Sequence, residues 1–412
     1  MKIIQADYIL TMDERNCVIK NGGVVFDKTI HDIHEDISLL KERYPEAELS
    51  CAGENSVLMP GLINSHTHIE FSKNSTQLEY GSFLPWLYSV MENREELIDS
   101  CKDECYTEVL NSMLKSGTTT IGAVSSYAFD MQALAQSPQK VVFFNEVIGS
   151  NPAAVDALYG DFKSRLHQCE NLRSDTFIPA IAIHSAYSVH PILLKHTIAI
   201  AKERNYVVST HFMESQAERE WLDKGSGEFK LFFEQLLKID KPVCDVDTFI
   251  EYFKEVKTLF VHTSQAKEEE FLKIAAQKNS IVHCPVSNRL LGCGKLDLEL
   301  PKKYHIPLLV ATDGLSSNFS LSLFNELRSA LMMQSGLDVH LLSRDLLRGV
   351  TTLAAQALDL NNGELSVGKD ADIIIFRLPG VVKDEKHLPL QVILHTNEVE
   401  TIYINGEELG KL

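Results

Sequence analysis

Eight short apolar runs, set apart by helical stretches, constrain the fold of this chain more than any other feature. The runs are Val57–His68, Thr118–Val124, Val141–Gly149, Phe177–Ala186, Tyr206–Phe212, Thr258–Ser264, Ser280–Val286 and Pro307–Gly314. Stretches with helical periodicity lie between them, among them Glu95–Leu114, His190–Arg204, Lys267–Lys278 and Leu323–Gln334. The runs are apolar throughout rather than alternating, as parallel strands buried on both faces are. Eight strand–helix repeats predict an α/β chain built on a (β/α)8 barrel. Residues 57–359 leave room for the roughly 250 residues of a barrel and for active-site loops. The two ends, 1–56 and 360–412, read as short strands and turns, such as Lys2–Leu10, Gly23–Phe26, Ile373–Phe376 and Val399–Ile404. They are expected to pair into one composite β-sandwich domain.

The charge balance narrows the partners. Lys and Arg total 39 against 57 for Asp and Glu, a net charge of -18 over 412 residues. An acidic chain without a basic run is poorly suited to nucleic-acid backbones and is repelled by anionic membrane surfaces. No apolar run approaches the ~20 residues of a membrane span. The N-terminus turns acidic too early for a signal peptide. A soluble, cytoplasmic protein is therefore expected. Of 8 cysteines only Cys101 and Cys105 lie close together, which reads as ordinary thiol usage and not as a disulfide framework.

Polar residues gather where five of the runs stop. The first ends in His66-Thr67-His68, the fourth in His184-Ser185, the fifth in Thr210-His211-Phe212-Met213-Glu214, the sixth in Val261-His262-Thr263 and the eighth in Ala311-Thr312-Asp313-Gly314. Residues i and i+2 of a strand point to the same side, so His66 and His68 make half of a divalent-metal site. Catalytic groups of a (β/α)8 barrel come from the C-terminal ends of several strands. A lone histidine after a strand is usually structural. Five strands delivering His, Glu or Asp to one rim are hard to explain by packing.

Pro60-Gly61-Leu62-Ile63-Asn64-Ser65-His66-Thr67-His68 resembles the signature of the amidohydrolase superfamily. His211-Phe212-Met213-Glu214, Val261-His262, Ser287-Asn288 and Thr312-Asp313-Gly314-Leu315-Ser316-Ser317-Asn318 resemble its deaminase/chlorohydrolase branch. The resemblance spans the chain, including Gly368-Lys369-Asp370-Ala371-Asp372. It implies that His66, His68, His211 and Asp313 hold one divalent cation, zinc or else iron, which lowers the pKa of its water. It also implies a mononuclear site, because the fourth strand ends in His184 where two-metal branches carry a carboxylated lysine. Glu214 matches the family's proton shuttle, which moves a proton from water to a ring nitrogen of the substrate. His262 would hold and polarise the attacking hydroxide, and Asp313 would relay a proton to the leaving amine. The implied reaction is hydrolytic deamination of an amidine-like aromatic carbon.

Within this branch the chain looks like the methylthioadenosine/S-adenosylhomocysteine deaminases, and most like the 6-aminodeoxyfutalosine deaminases of menaquinone biosynthesis. Both act at C6 of an adenine nucleoside. Trp86-Leu87-Tyr88-Ser89-Val90-Met91 followed by Glu95 matches a family segment in which a glutamate binds the ribose hydroxyls. The resemblance gives that role to Glu95, a purine contact to His184 and a place over the pocket to Trp86. At the end of the third strand, Asn145 stands where the methylthioadenosine/S-adenosylhomocysteine deaminases have arginine, and no arginine occurs between Arg94 and Arg165. An amino-acid tail would lack its charge-assisted partner. The 6-aminodeoxyfutalosine substrate carries an aromatic carboxylate instead. The sequence leaves open which cation meets it; Arg289 is the candidate, against a role in a structural ion pair. A guanine or triazine hydrolase is the competing enzyme reading, and Glu95 argues against it. An inactive scaffold would have lost the four metal ligands that this chain keeps. A homodimer would suit the family.

Overall fold

The computed structural model describes residues 1–73, 76–96, 101 and 103–410. All eight runs form strands of one parallel sheet in which each strand neighbours the next in sequence. They are β1 (Leu62–Thr67), β2 (Thr118–Ser125), β3 (Lys140–Val147), β4 (Phe177–Ser185), β5 (Val208–Phe212), β6 (Thr258–His262), β7 (Ser280–His283) and β8 (Leu308–Val310). β1, β2, β3, β5, β6 and β7 are buried at every residue, which is why they carry no polar alternation. The seam between β8 and β1 is closed beyond the last strand. There the Asp313 N–H donates to His66 O at 3.2 Å, and Asn64 Nδ2 donates to Thr312 Oγ1 at 2.7 Å. The barrel therefore closes on the same residues that approach one another in the site below.

The helices form where apolar periodicity meets a capping signal. Pro191–Arg204 starts with Pro in its first turn, with His190 Nδ1 accepting from the Ile192 N–H, and stops at the left-handed Asn205. Gln216–Lys224 is capped by Ser215, whose hydroxyl accepts from the Glu218 N–H at 3.2 Å, and ends at Gly225. In the stretch Glu95–Leu114 the regular helix is Asp103–Lys115; residues 97–100 and 102 lie outside the described residues.

The first run is two strands. Ser56–Pro60 pairs with Ile373–Arg377 and Tyr8–Leu10 in a sheet of the chain ends, while Leu62–Thr67 belongs to the barrel. Gly61 makes the junction, since a Cβ there would stand 2.2 Å from Thr119 Oγ1. Lys2–Leu10 splits in the same way, into Lys2–Gln5 and Tyr8–Leu10. The chain ends form a 4-stranded and a 6-stranded sheet around a core that includes Ile4, Val24, Phe26, Leu58, Ile373 and Tyr403. The helix Leu388–His395 returns to the barrel, where Arg328 Nη1 donates to Ile393 O and Thr396 O, both at 2.9 Å. One thiol expectation is corrected. Cys101 and Cys105 are joined by a disulfide, their Cα atoms 5.2 Å apart, within the span that a bridge covers. The other six cysteines are free. No helix among the described residues is long and apolar enough to cross a membrane.

The motif Gly368–Asp372 ties the two parts together. Lys140, at the start of β3 and buried, places Nζ 2.7 Å from Asp370 Oδ2 and 2.8 Å from Asp372 Oδ2. Asp372 also accepts from Asn362 Nδ2 and the Asn405 N–H. Removing one partner of a buried ion pair strands the other charge. Lys140→Met is accordingly expected to cost about 3–5 kcal/mol of stability, read as a lower denaturant midpoint. A midpoint equal to that of the parent would show the cluster to be solvated.

Candidate active site

The ends of β1, β5, β6 and β8 converge on one rim. His66 Nε2 lies 3.7 Å and His68 Nε2 3.6 Å from Asp313 Oδ1, and His68 Nε2 lies 3.4 Å from His211 Nε2. The ligand atoms of His66, His68 and Asp313 fall within 4.8 Å of one another, as do those of His66, His211 and His262. Both ring nitrogens of His66 are buried without a hydrogen-bond partner. Buried polar atoms are nearly always satisfied. Imidazole nitrogens and a carboxylate oxygen aimed at one point are the donor set of a divalent transition metal, so the residues present fit such an ion.

The charge states suit ligation. Burial, reinforced by His211 and His68, holds the His66 ring well below the usual histidine range, against the pull of Asp313. Burial opposes ionisation of Asp313, yet the rings of His66, His68 and His262 hold its carboxyl well below the usual carboxylate range. A neutral imidazole and an ionised carboxylate are the ligating forms. Neighbours fix the orientation: the His211 Nδ1–H donates to His184 O at 2.9 Å, leaving Nε2 toward the cluster. Asp313 Oδ2 accepts from Ser287 Oγ at 2.7 Å and Ser317 Oγ at 2.8 Å. The backbone is strained at this rim. Met213, His262, Thr263 and Asp313 have φ of 48°, 71°, 50° and 60°, a region costly for non-glycine residues and recurrent at functional sites.

Glu214 and His262 face each other beside this cluster, Glu214 Oε1 standing 3.5 Å from His262 Nε2. The His262 Nδ1–H donates to Asn288 Oδ1 at 2.8 Å, which leaves Nε2 as the acceptor. Burial pushes His262 down to about 4. Burial, with the Asp313 and Glu218 carboxylates, pushes Glu214 well above the usual carboxylate range. The Glu214 N–H donates to Glu218 Oε2 at 2.7 Å, which holds the turn between β5 and the next helix. A carboxyl raised in this way can hold or release a proton near neutral pH.

His68, His211, Glu214, His262 and Asp313 line a cavity of about 430 Å³. His184 lines it, with Nδ1 2.6 Å from Ser188 Oγ. Trp86 lines it too, and its Nε1–H donates to Ser316 O at 2.8 Å. Two sequence candidates, Asn145 and Glu95, fall one residue away from the cavity wall, and a third, Arg289, lies off it. Asn145 is buried against the helix Val155–Asn171, where its Nδ2 donates to Phe162 O at 3.1 Å and its Oδ1 accepts from Arg165. Strand alternation turns the next residue inward instead, so Glu146 lines the cavity. Glu95 is exposed and off the wall, whereas Arg94 is on it, because consecutive residues of a helical turn point about 100° apart. Arg289 is exposed on the helix Pro285–Leu290, whose Ser287 and Asn288 are buried and serve Asp313 and His262.

Glu146, Glu218 and Arg94 are the groups that sequence reading misses. Glu146 is 1% exposed, its Oε1 has no hydrogen-bond partner, and its ligand atom lies within 4.8 Å of those of His184 and His211. Only its place after a polar residue at the end of an apolar run could have marked it.

The geometry has counterparts among known proteins. The model of the Amidohydrolase family matches residues 57–409. The chain is 48% identical over 408 residues to an aminodeoxyfutalosine deaminase of Nitratiruptor sp., a match covering 99% of each chain. It is 36% identical over 413 residues to an adenosine deaminase of Helicobacter pylori, again covering 99% of each. The crystal structure of Helicobacter pylori aminofutalosine deaminase in complex with methylthio-coformycin superposes with a TM-score of 0.93 at 35% identity, over 99% of this chain and 100% of that one.

Proposed function

This chain belongs to the amidohydrolase family, and we propose that it hydrolyses the exocyclic amine from C6 of an adenine nucleoside. The substrate we assign is 6-aminodeoxyfutalosine and the products are its 6-oxo (hypoxanthine) counterpart and ammonia, with the enzyme acting in the cytoplasm. The full-length likeness to the Nitratiruptor aminodeoxyfutalosine deaminase carries the substrate. Glu214 and His262 beside the histidine–aspartate cluster support the reaction. Methylthioadenosine and adenosine are secondary substrates on this reading. The ligand of the Helicobacter pylori structure and the name of the second relative favour them.

His66, His68, His211 and Asp313 would hold one divalent cation, which we assign as zinc, with iron as the alternative. When bound, such a cation supplies the Lewis acidity that makes water a nucleophile near neutral pH. The residues do the rest. Glu214 takes a proton from the attacking water and delivers it to N1 of the adenine ring, which makes C6 electrophilic. His262, neutral and held by Asn288, orients the water from its other side with Nε2. Asp313 relays the second water proton to the departing amine, which leaves as ammonia once protonated. The base enters between His184 and Trp86, along an apolar wall that includes Phe83, Leu87 and Phe232.

Glu146 takes the ribose in this reading, its free Oε1 accepting from a hydroxyl. Glu146→Gln is expected to lower kcat/KM by about 10- to 150-fold, mainly through KM, as loss of a hydrogen bond to a charged group does. A fall confined to kcat would move Glu146 from binding to chemistry. The proposed function is tested by comparing kcat/KM of the metal-loaded protein for 6-aminodeoxyfutalosine, methylthioadenosine, S-adenosylhomocysteine, adenosine and guanine. The expected order puts 6-aminodeoxyfutalosine first and guanine last. Preference for guanine would overturn the nucleoside reading.

A further inference from the structure

We infer that Arg94 is the anchor for an anionic group at the far end of the substrate, and so determines specificity between nucleosides with charged and uncharged 5′ groups. The inference rests on the nucleoside deaminase reading above. Arg94 directly follows Asn93, the cap residue of the helix Phe83–Glu92, and lines the same cavity as the histidine–aspartate cluster. Among the described residues it is the one lysine or arginine on that wall. The other ionisable groups on the wall are Glu146, Glu214, Asp313, Tyr127, Tyr187 and the histidines. An anion entering an acidic cavity of an acidic chain has no other cationic side chain to meet there.

The guanidinium is held but not consumed. Its carbon sits over the Tyr127 ring, 4.5 Å from the centroid. Among the described residues Arg94 makes no ion pair. A guanidinium held by a ring face rather than by a carboxylate keeps N–H donors for a planar, bidentate partner. The platform is rigid. The buried carboxylate of Glu70 accepts from the Ser126 N–H at 2.7 Å, the Tyr127 N–H at 3.0 Å and the Phe129 N–H at 3.1 Å. Tyr127 also stacks on Phe129, with ring centroids 5.7 Å apart. A cation placed in advance on a pinned aromatic ring spends little ordering entropy when it binds a carboxylate. By contrast Arg165 is already occupied, its Nη2 donating to Glu146 O at 2.9 Å and its Nε to Asp161 at 2.8 Å. Arg289 faces solvent away from the cavity. The ligand class is therefore an adenine nucleoside bearing a carboxylate, and the aromatic carboxylate of 6-aminodeoxyfutalosine fits it.

The test is the ratio of kcat/KM for 6-aminodeoxyfutalosine to that for methylthioadenosine, measured for the zinc-loaded full-length protein and for Arg94→Met, which keeps an apolar stem on Tyr127. Loss of one charge-assisted contact is expected to lower this ratio by about 10- to 150-fold. The methyl ester of the substrate should give a ratio that the substitution does not move. Methylthioadenosine turnover reports that the variant is folded. Turnover of 6-aminodeoxyfutalosine by the unmutated protein with a ratio unmoved in Arg94→Met overturns the role of Arg94 alone. A protein that deaminates methylthioadenosine but not 6-aminodeoxyfutalosine overturns the substrate assignment, and the role of Arg94 with it.

Discussion

Glu214→Gln is expected to lower kcat by about 10²- to 10⁴-fold, the range that one positioned acid–base group contributes, while the variant keeps its metal. The amide is isosteric and can still hydrogen-bond, but it can neither accept a proton from water nor donate one to a ring nitrogen at neutral pH. Glu214 is buried beside His262 and its carboxyl titrates unusually high, so its proton is available where the reaction needs it. None of the four assigned ligands is altered, so metal content measured by elemental analysis should match the parent. Near-parental kcat with metal retained would remove Glu214 from the mechanism. Loss of metal would instead make it a ligand.

Stripping the cation is expected to abolish deamination, and readdition of zinc to restore it at one ion per chain. The proposed reaction depends on the Lewis acidity that a bound cation would supply to make water nucleophilic near neutral pH. The histidine–aspartate cluster holds the β8–β1 seam, where the Asp313 N–H meets His66 O. Ligation should therefore also stabilise the fold, by about 4 kcal/mol at a thousandfold excess of zinc over its Kd. A chelated protein should unfold at a lower temperature and regain its midpoint with activity. Two ions per chain would contradict the mononuclear site and would point to Glu146, His184 and His211 as the second set of ligands.

The barrel could be read from the chain because its strands are buried on both faces and so lack alternation. The convergence of His66, His68, His211 and Asp313 could be read because these residues stand at the ends of those strands. Boundaries inside apolar runs could not. Nothing polar separates Met59 from Leu62, and only the close approach of Gly61 to Thr119 divides a sandwich strand from a barrel strand. The cavity wall failed by single residues. Asn145 and Glu146, and Glu95 and Arg94, are neighbours of which one lines the cavity and the other does not. A shift of one residue in a strand exchanges faces, and in a helix it turns the side chain by about 100°. A motif gives the neighbourhood; the register that decides between neighbours comes from packing against the next element, as Phe162 and Arg165 show for Asn145. Cys101 and Cys105 make the same point, since their helical spacing is visible in the sequence and their bond is not.

The most direct test of the account is to incubate the zinc-loaded protein with 6-aminodeoxyfutalosine in ¹⁸O-labelled water and follow nucleoside and ammonia together. Hydrolysis at C6 by Glu214, His262 and Asp313 requires one ammonia per substrate consumed, and a 6-oxopurine (hypoxanthine) nucleoside product with a single ¹⁸O at C6. Free adenine without ammonia, or a purine product without label, would contradict it.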